Sequence, residues 1–235
     1  MELTSGALLQ ALRDILPRDA GFGHARLAEA APLYVVQEDI GPAAPTRQRE
    51  FAAGRLALRR AMRSIGLAAE HVPRAPDRGP LWPCGLVGAI THADTHALAV
   101  IARSHHNGGL GLDLVAPADR PEPDLWPLFL HPAEIAQTRG PIDAAARLAA
   151  KEAAIKLLRD TTGLTHAFLD LFATLGPDGT TFTVQIVSAP QSDARTTALP
   201  TAAVQGHLRH VSGHVLALCA AAPRAQNRSD RSAAP

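Results

Sequence analysis

The sequence predicts an α+β fold built as a pseudo-two-fold pair of similar α/β halves. Three observations predict it. Two long helical patterns, about 46–64 and about 142–159, carry Arg, Lys and Ala in the same style. Short β-rich apolar runs, bounded by Gly, Asn or Ser, follow in each half. Finally, the residues recur. Arg55-Leu-Ala-Leu-Arg59 aligns with Arg147-Leu-Ala-Ala-Lys151 at an offset of 92 (147 minus 55), which sets Ala61 against Ala153. Gly88, His92 and His96 align with Gly206, His210 and His214 at an offset of 118 (206 minus 88), and an extra hairpin and loop between 165 and 203 absorb the difference. The halves are expected at 1–112 and 113–223, with a polar tail at 224–235 expected to be disordered.

Each element follows from local signals. Leu3, Leu8, Leu9, Leu12, Ile15 and Leu16 fall near helical spacing and Pro17 ends that helix. Leu33–Val36 is a short strand candidate, and 41–45 is a Pro/Gly loop before a helix with Thr46 as its expected N-cap. Residues 71–84 are Pro-rich and extended. Leu98–Ala102 and Leu110–Val115 flank the polar turn 104–107 and are expected to pair as a hairpin. A helical patch begins near Glu134. Phe168–Leu175 and Thr181–Val187 flank Gly176-Pro-Asp-Gly179, a strong hairpin signal. Residues 188–203 have the composition of a surface loop, and Val215–Ala222 is a last apolar strand.

The 235 residues, 46% hydrophobic, suffice for one large core or two smaller ones. Lys plus Arg is 23 against 22 for Asp plus Glu, so no global basic field recommends nucleic acid as a partner. No apolar run reaches the ~20 residues of a membrane span and no signal peptide is evident, so a cytoplasmic protein without membrane contact is expected. Cys84 and Cys219 share no metal or redox spacing and are expected to be core thiols.

The polar residues at the edges of the apolar runs carry the chemistry. Asp113 sits inside an apolar strand and therefore needs a cation or a hydrogen bond. Arg55 and Arg59 share a helix face and could grip a phosphate, although a solvated basic face has the same spacing. Leu148, Glu152 and Ile155 fall on one narrow stripe, so Glu152 points toward the apolar side with Lys151 and Lys156 flanking it. An i,i+4 surface pair of Glu152 with Lys156 fits that spacing as well.

Five motifs in order resemble a known family. They are Phe51-Ala-Ala-Gly-Arg-Leu-Ala-Leu-Arg59, Arg78-Gly-Pro-Leu-Trp-Pro83, Gly88-Ala-Ile-Thr-His92, Gly111-Leu-Asp113, and Lys151-Glu152 with Lys156. Together they resemble the 4'-phosphopantetheinyl transferases of the two-half type, among them the enterobactin synthetase component D-like members of siderophore synthesis. The resemblance implies transfer of phosphopantetheine from coenzyme A to a serine of an acyl or peptidyl carrier protein, with Mg2+ required. It implies that Arg55, Arg59, Arg78, Thr91 and His92 hold coenzyme A and that Asp113 and Glu152 bind the metal. Glu152, Lys156 and Lys151 would be catalytic, and a monomer is expected. Many relatives carry Glu two residues after the Asp, where this chain has Val115. The alternative is therefore a non-catalytic coenzyme A or carrier-binding relative with a decayed metal site. An unrelated nucleotide-binding domain is disfavoured, since no G-x-x-x-x-G-K loop occurs.

Overall fold

The computed structural model describes residues 4–30, 40, 43–188 and 203–222; the strand candidate at 33–36, most of the 188–203 loop and the 224–235 tail lie outside them. Helix α1 (Ser5–Arg13) is capped by Thr4, whose hydroxyl accepts from Ala7 N at 3.2 Å. Strand β1 (Ala20–Arg26) and helix α2 (Pro45–Ser64) follow, then β2 (Leu86–Ala93), β3 (His96–Arg103) and β4 (Gly109–Val115). After the short α3 (Pro132–Ile135) come α4 (Pro141–Thr162), β5 (Leu171–Leu175), β6 (Thr181–Ile186), β7 (Val204–Val211) and β8 (His214–Ala221). Both long helices start with proline at the first turn, where the missing N–H is harmless. Thr46 is thus inside α2 and not its cap. Among the described residues no helix is long and apolar enough to cross a membrane.

The strands form two antiparallel sheets, ordered β1-β3-β2 and β4-β8-β7-β6-β5. The same topology is used twice: a first strand, a helix, then a hairpin whose second strand takes the middle place. The β2–β3 hairpin closes Ala93 on His96, and the β7–β8 hairpin closes Val211 on His214. Asp94 and Ser212 occupy matching turn positions with φ of 53° and 47°, which bears out the 118 offset. The β5–β6 hairpin is the addition to the second half.

Alternation along β3 builds the layers. Ala97, Ala99 and Ile101 face α2, with Ala53, Ala57, Leu58 and Ala61. Leu98, Val100 and Ala102 face the other sheet, where Leu110, Leu112, Leu114, Leu216 and Leu218 complete a shared core with Leu8 and Leu12 of α1. On the far side, Val115, Ala217 and Cys219 pack with Ala149, Ala153 and Leu157 of α4. The order is therefore helix, sheet, sheet, helix.

Two further expectations need correction. β3 and β4 do not pair: β3 lies between β1 and β2, whereas β4 pairs with β8. Residues 104–108 carry the chain from one sheet to the other. Two apolar runs around a polar turn look alike whether they pair or separate, because both runs are buried either way. Second, Cys84 is exposed, and only Cys219 is a core thiol, pushed by burial to about 12. The local pattern gave no sign of β1, since Gly21 and Gly23 dilute its strand signal. Those glycines exist because α2 lies almost on the sheet backbone.

The glycine requirement is strongest at the second helix. A Cβ on Gly111 would stand 1.9 Å from the Ala153 carbonyl oxygen, with backbone on both sides of the clash. Gly111→Ala is expected to lift α4 and lower stability by about 1–3 kcal/mol, the usual range for overpacking, as read by urea unfolding.

A buried histidine pair joins β1 to β3. His24 Nε2 and His96 Nδ1 lie 2.8 Å apart, so one ring donates and the other accepts. Burial chiefly, then the neighbouring His96, holds the His24 pKa down at about 4. An unfolded histidine takes its proton near 6.5, so between pH ~6.5 and ~4 the unfolded chain holds more protons and stability falls as pH falls. The loss from this group should be on the order of 2 kcal/mol by pH 4, and His24→Gln should flatten that slope in thermal melts.

Candidate active site

The halves meet along β2 and β4, and a cleft of about 520 Å³ opens beside that seam. Its walls come from four places: the first turns of α2, the 77–80 loop, the outer part of β2, and one face of α4. Arg55, Arg78, Thr91, His92, Asp113, Glu152 and Lys156 all line it. Seven of the nine site residues expected from the sequence thus converge, although they span about a hundred positions of chain.

Asp113 is 8% exposed and has the partners its burial demands. Lys156 Nζ donates to its Oδ1 at 2.7 Å and Thr91 Oγ1 donates to the same oxygen at 3.0 Å. Lys156 also donates to the Leu112 carbonyl at 2.9 Å, so its ammonium is fixed from two sides. Glu152 makes no hydrogen bond to any described residue. Burial pushes its carboxyl above the usual range, with Asp113 adding to the shift and Lys156 opposing it. Two carboxylates lining one cleft, one of them without a hydrogen bond, are hard oxygen donors suited to a small divalent cation. Among the described residues no group of three or more His, Cys, Asp or Glu is placed to hold a metal, so these two would share it with substrate oxygens and water. Val115 shares the Asp113 face but is buried beneath α4 and does not line the cleft.

On the α2 side, Arg55 is buried against the Phe51 ring, with its guanidinium carbon 4.6 Å from the ring centre. His92 Nε2 lies 2.5 Å from Arg47 Nη1, and Glu50 is 3.6 Å from the same nitrogen. Burial lowers the His92 pKa, Glu50 opposes and Arg47 reinforces. His92 thus accepts from Arg47 as a neutral ring. Arg78 sits at the tip of a tight turn with φ of 71°, held by Arg78 N to Ala75 O and Ala75 N to Gly79 O.

Two expected residues lie elsewhere. Arg59, one turn beyond Arg55, is partly buried and does not line the cleft. Lys151 is 0% exposed and turned away from it. Its ammonium donates to Glu134 Oε2 at 2.7 Å, to the Phe129 carbonyl at 2.8 Å and to the Phe168 carbonyl at 3.1 Å. Glu134 in turn accepts from Ala173 N and His131 N, both at 2.7 Å. Burial lowers the Lys151 pKa while Glu134 opposes. Neighbours in a helix point about 100° apart, so Lys151 cannot share the face of Glu152.

Five charged cleft residues had no place in the expected site: Arg47, Glu50, Asp77, Arg159 and Asp160. Arg159 was legible in principle. It stands three residues beyond Lys156 and therefore on the same face of α4.

Comparison with known proteins points one way. A 4'-phosphopantetheinyl transferase N-terminal domain model matches residues 36–102. The 4'-phosphopantetheinyl transferase Svp of Streptomyces mobaraensis is 32% identical over 161 residues, 63% of each chain. Enterobactin synthase component D of Salmonella typhimurium is 45% identical over 69 residues, 29% of this chain and 27% of that one. The 4'-phosphopantetheinyl transferase PptT of Mycobacterium tuberculosis is 29% identical over 179 residues, 74% of this chain and 76% of that one. The matches to Svp and to component D span less than two thirds of those relatives. Motifs, domain match and relatives agree, and the superfamily that this chain resembles is that of the 4'-phosphopantetheinyl transferases, its enterobactin synthase component D-like members included.

Proposed function

We propose that this protein transfers the 4'-phosphopantetheine group of coenzyme A to a serine of an acyl or peptidyl carrier protein, with Mg2+. The observation that carries the proposal is the convergence of seven motif residues from both halves on one cleft of about 520 Å³. Each has a part set by its chemistry. Arg55 and Arg78 offer guanidiniums to the phosphates of the nucleotide. Thr91 and His92 supply short polar contacts at the seam. Lys156, held by Asp113 and the Leu112 carbonyl, faces charge that builds on the phosphoryl oxygens. Glu152, without a hydrogen bond among the described residues, accepts the proton of the serine hydroxyl, directly or through water. The serine oxygen then bonds to the phosphorus next to the pantetheine, and the bond to 3',5'-adenosine bisphosphate breaks. A magnesium ion held by Asp113 and Glu152 would neutralise charge on the pyrophosphate.

The test is the mass of an apo carrier domain after incubation with the protein, coenzyme A and magnesium. Gain of one phosphopantetheine on the serine is the expected result. Coenzyme A binding with no mass gain on any carrier favours the second reading, a non-catalytic relative, which rests on Val115 standing where relatives carry an acid. The protein is expected to work as a monomer in the cytoplasm, and its carrier to belong to siderophore or other secondary metabolism.

A further inference from the structure

Beyond the motif residues, α4 presents one more cation to the cleft. Arg159 follows Lys156 by three residues, about 4.5 Å further along the helix axis on the same face. Its guanidinium is held from one edge only. Nε donates to Asp160 Oδ1 at 3.0 Å, Nη2 donates to the same oxygen at 2.5 Å, and Asp77 Oδ2 lies 3.8 Å from Nε. Asp160 is itself fixed by Trp82, whose Nε1 donates to Oδ2 at 2.6 Å. Burial raises the Asp160 pKa, and Arg159 and Trp82 hold it back. The remaining nitrogen, Nη1, has no hydrogen-bond partner among the described residues.

Nη1 is placed by a glycine. A Cβ on Gly79 would stand 1.3 Å from Nη1 and 2.2 Å from Cζ, so any side chain there would displace the guanidinium. Gly79 N in turn donates to Asp77 Oδ1 at 3.0 Å. One network therefore fixes Arg159 and the turn that carries Arg78, although the first belongs to the second half and the other to the first. A donor on a pre-organised planar group, lining the same cleft as Arg78 and three residues beyond Lys156, suits an anionic group of a ligand held there.

We infer that Arg159 is a further nucleotide-holding residue, a phosphate contact supplied by the second half and set in place by Gly79, Asp77 and Asp160. The inference rests on the function proposed above, because coenzyme A is the ligand it assumes. It means that the nucleotide is held across the seam and not by α2 and the 77–80 loop alone.

The experiment is isothermal calorimetry with coenzyme A and with adenosine 3',5'-bisphosphate, which carries the nucleotide phosphates without the pantetheine arm. Arg159→Ala should weaken both by about ten- to a hundredfold, the range of a charged hydrogen bond. Removing Arg159 leaves Asp160 without its cation, with only the Trp82 hydrogen bond, and could unsettle the fold, so Gly79→Ala is the second variant. It changes no charge, meets only the end of a flexible side chain, and should weaken both ligands by about fivefold or more, a net hydrogen bond of about 1 kcal/mol. Affinity within twofold of the parent in both variants overturns the inference. So does a loss with coenzyme A that is absent with the bisphosphate, which would put Arg159 at the pantetheine arm. A parent that binds neither ligand overturns the proposed function and this inference together, whereas a parent that binds them normally beside unaffected variants overturns only the inference.

Discussion

Glu152→Gln is expected to lower the rate of phosphopantetheine transfer by about 10²- to 10⁴-fold, the range for loss of a positioned general base. Gln keeps the shape but neither takes a proton nor offers an anionic oxygen to a cation. Coenzyme A affinity should stay within about threefold, because an interaction made only in the transition state affects kcat and kcat/KM together. Stability should hold or rise. The native carboxylate is desolvated, faces Asp113 and makes no hydrogen bond to a described residue, so the fold bears a penalty for keeping it charged. Carrier mass after timed incubation gives the rate, calorimetry the affinity and a melt the stability. A parental rate in the variant would remove Glu152 from the mechanism.

Lys151→Met should produce the opposite pattern. It removes the cation from a buried pair and strands Glu134, at 0% exposure, together with the carbonyls of Phe129 and Phe168. Breaking a buried pair from one side costs about 3–5 kcal/mol. For a chain of this size that is roughly 10 °C in melting temperature. Transfer per folded molecule, measured well below the melt, should stay within a few-fold of the parent, since the ammonium does not line the cleft. If instead activity vanishes while the melt stays put, Lys151 is catalytic as the motif implied and the side-chain placement is wrong.

The two variants affect adjacent residues of one helix and separate its two roles. One face of α4 carries Leu148, Glu152, Lys156 and Arg159 into the cleft. Another anchors the helix through Lys151 and Glu134 to the connection before it and, through Ala173, to β5. Arg147, matched by the repeat to Arg55, belongs to the anchoring side as well: it is buried and donates to the Ala173 carbonyl. Equivalent positions of the two halves therefore do different work, one at the cleft and one in the core.

Periodicity and spacing in the sequence sufficed for the parts that depend on local pattern. Helical stripes of alanine and leucine marked α2 and α4, and Gly176 to Gly179 marked the β5–β6 hairpin, because turn and face preferences act over a few residues. The demand that Asp113 find a cation was also legible, since a lone buried carboxylate is unstable whatever surrounds it. Tertiary structure alone decided what depends on distant neighbours. β1 is a strand because it pairs along β3, and its glycines let α2 lie close upon it. β3 and β4 part company because β1 and β2 take both edges of β3, while β4 pairs with β8. Lys151 turns inward because Glu134, 17 positions earlier, waits there with two carbonyls. Arg159 enters the cleft because Gly79 leaves room for it. A residue's type sets which contacts it can make, but the direction of a long flexible side chain is settled by whichever buried partner the packed chain brings within reach.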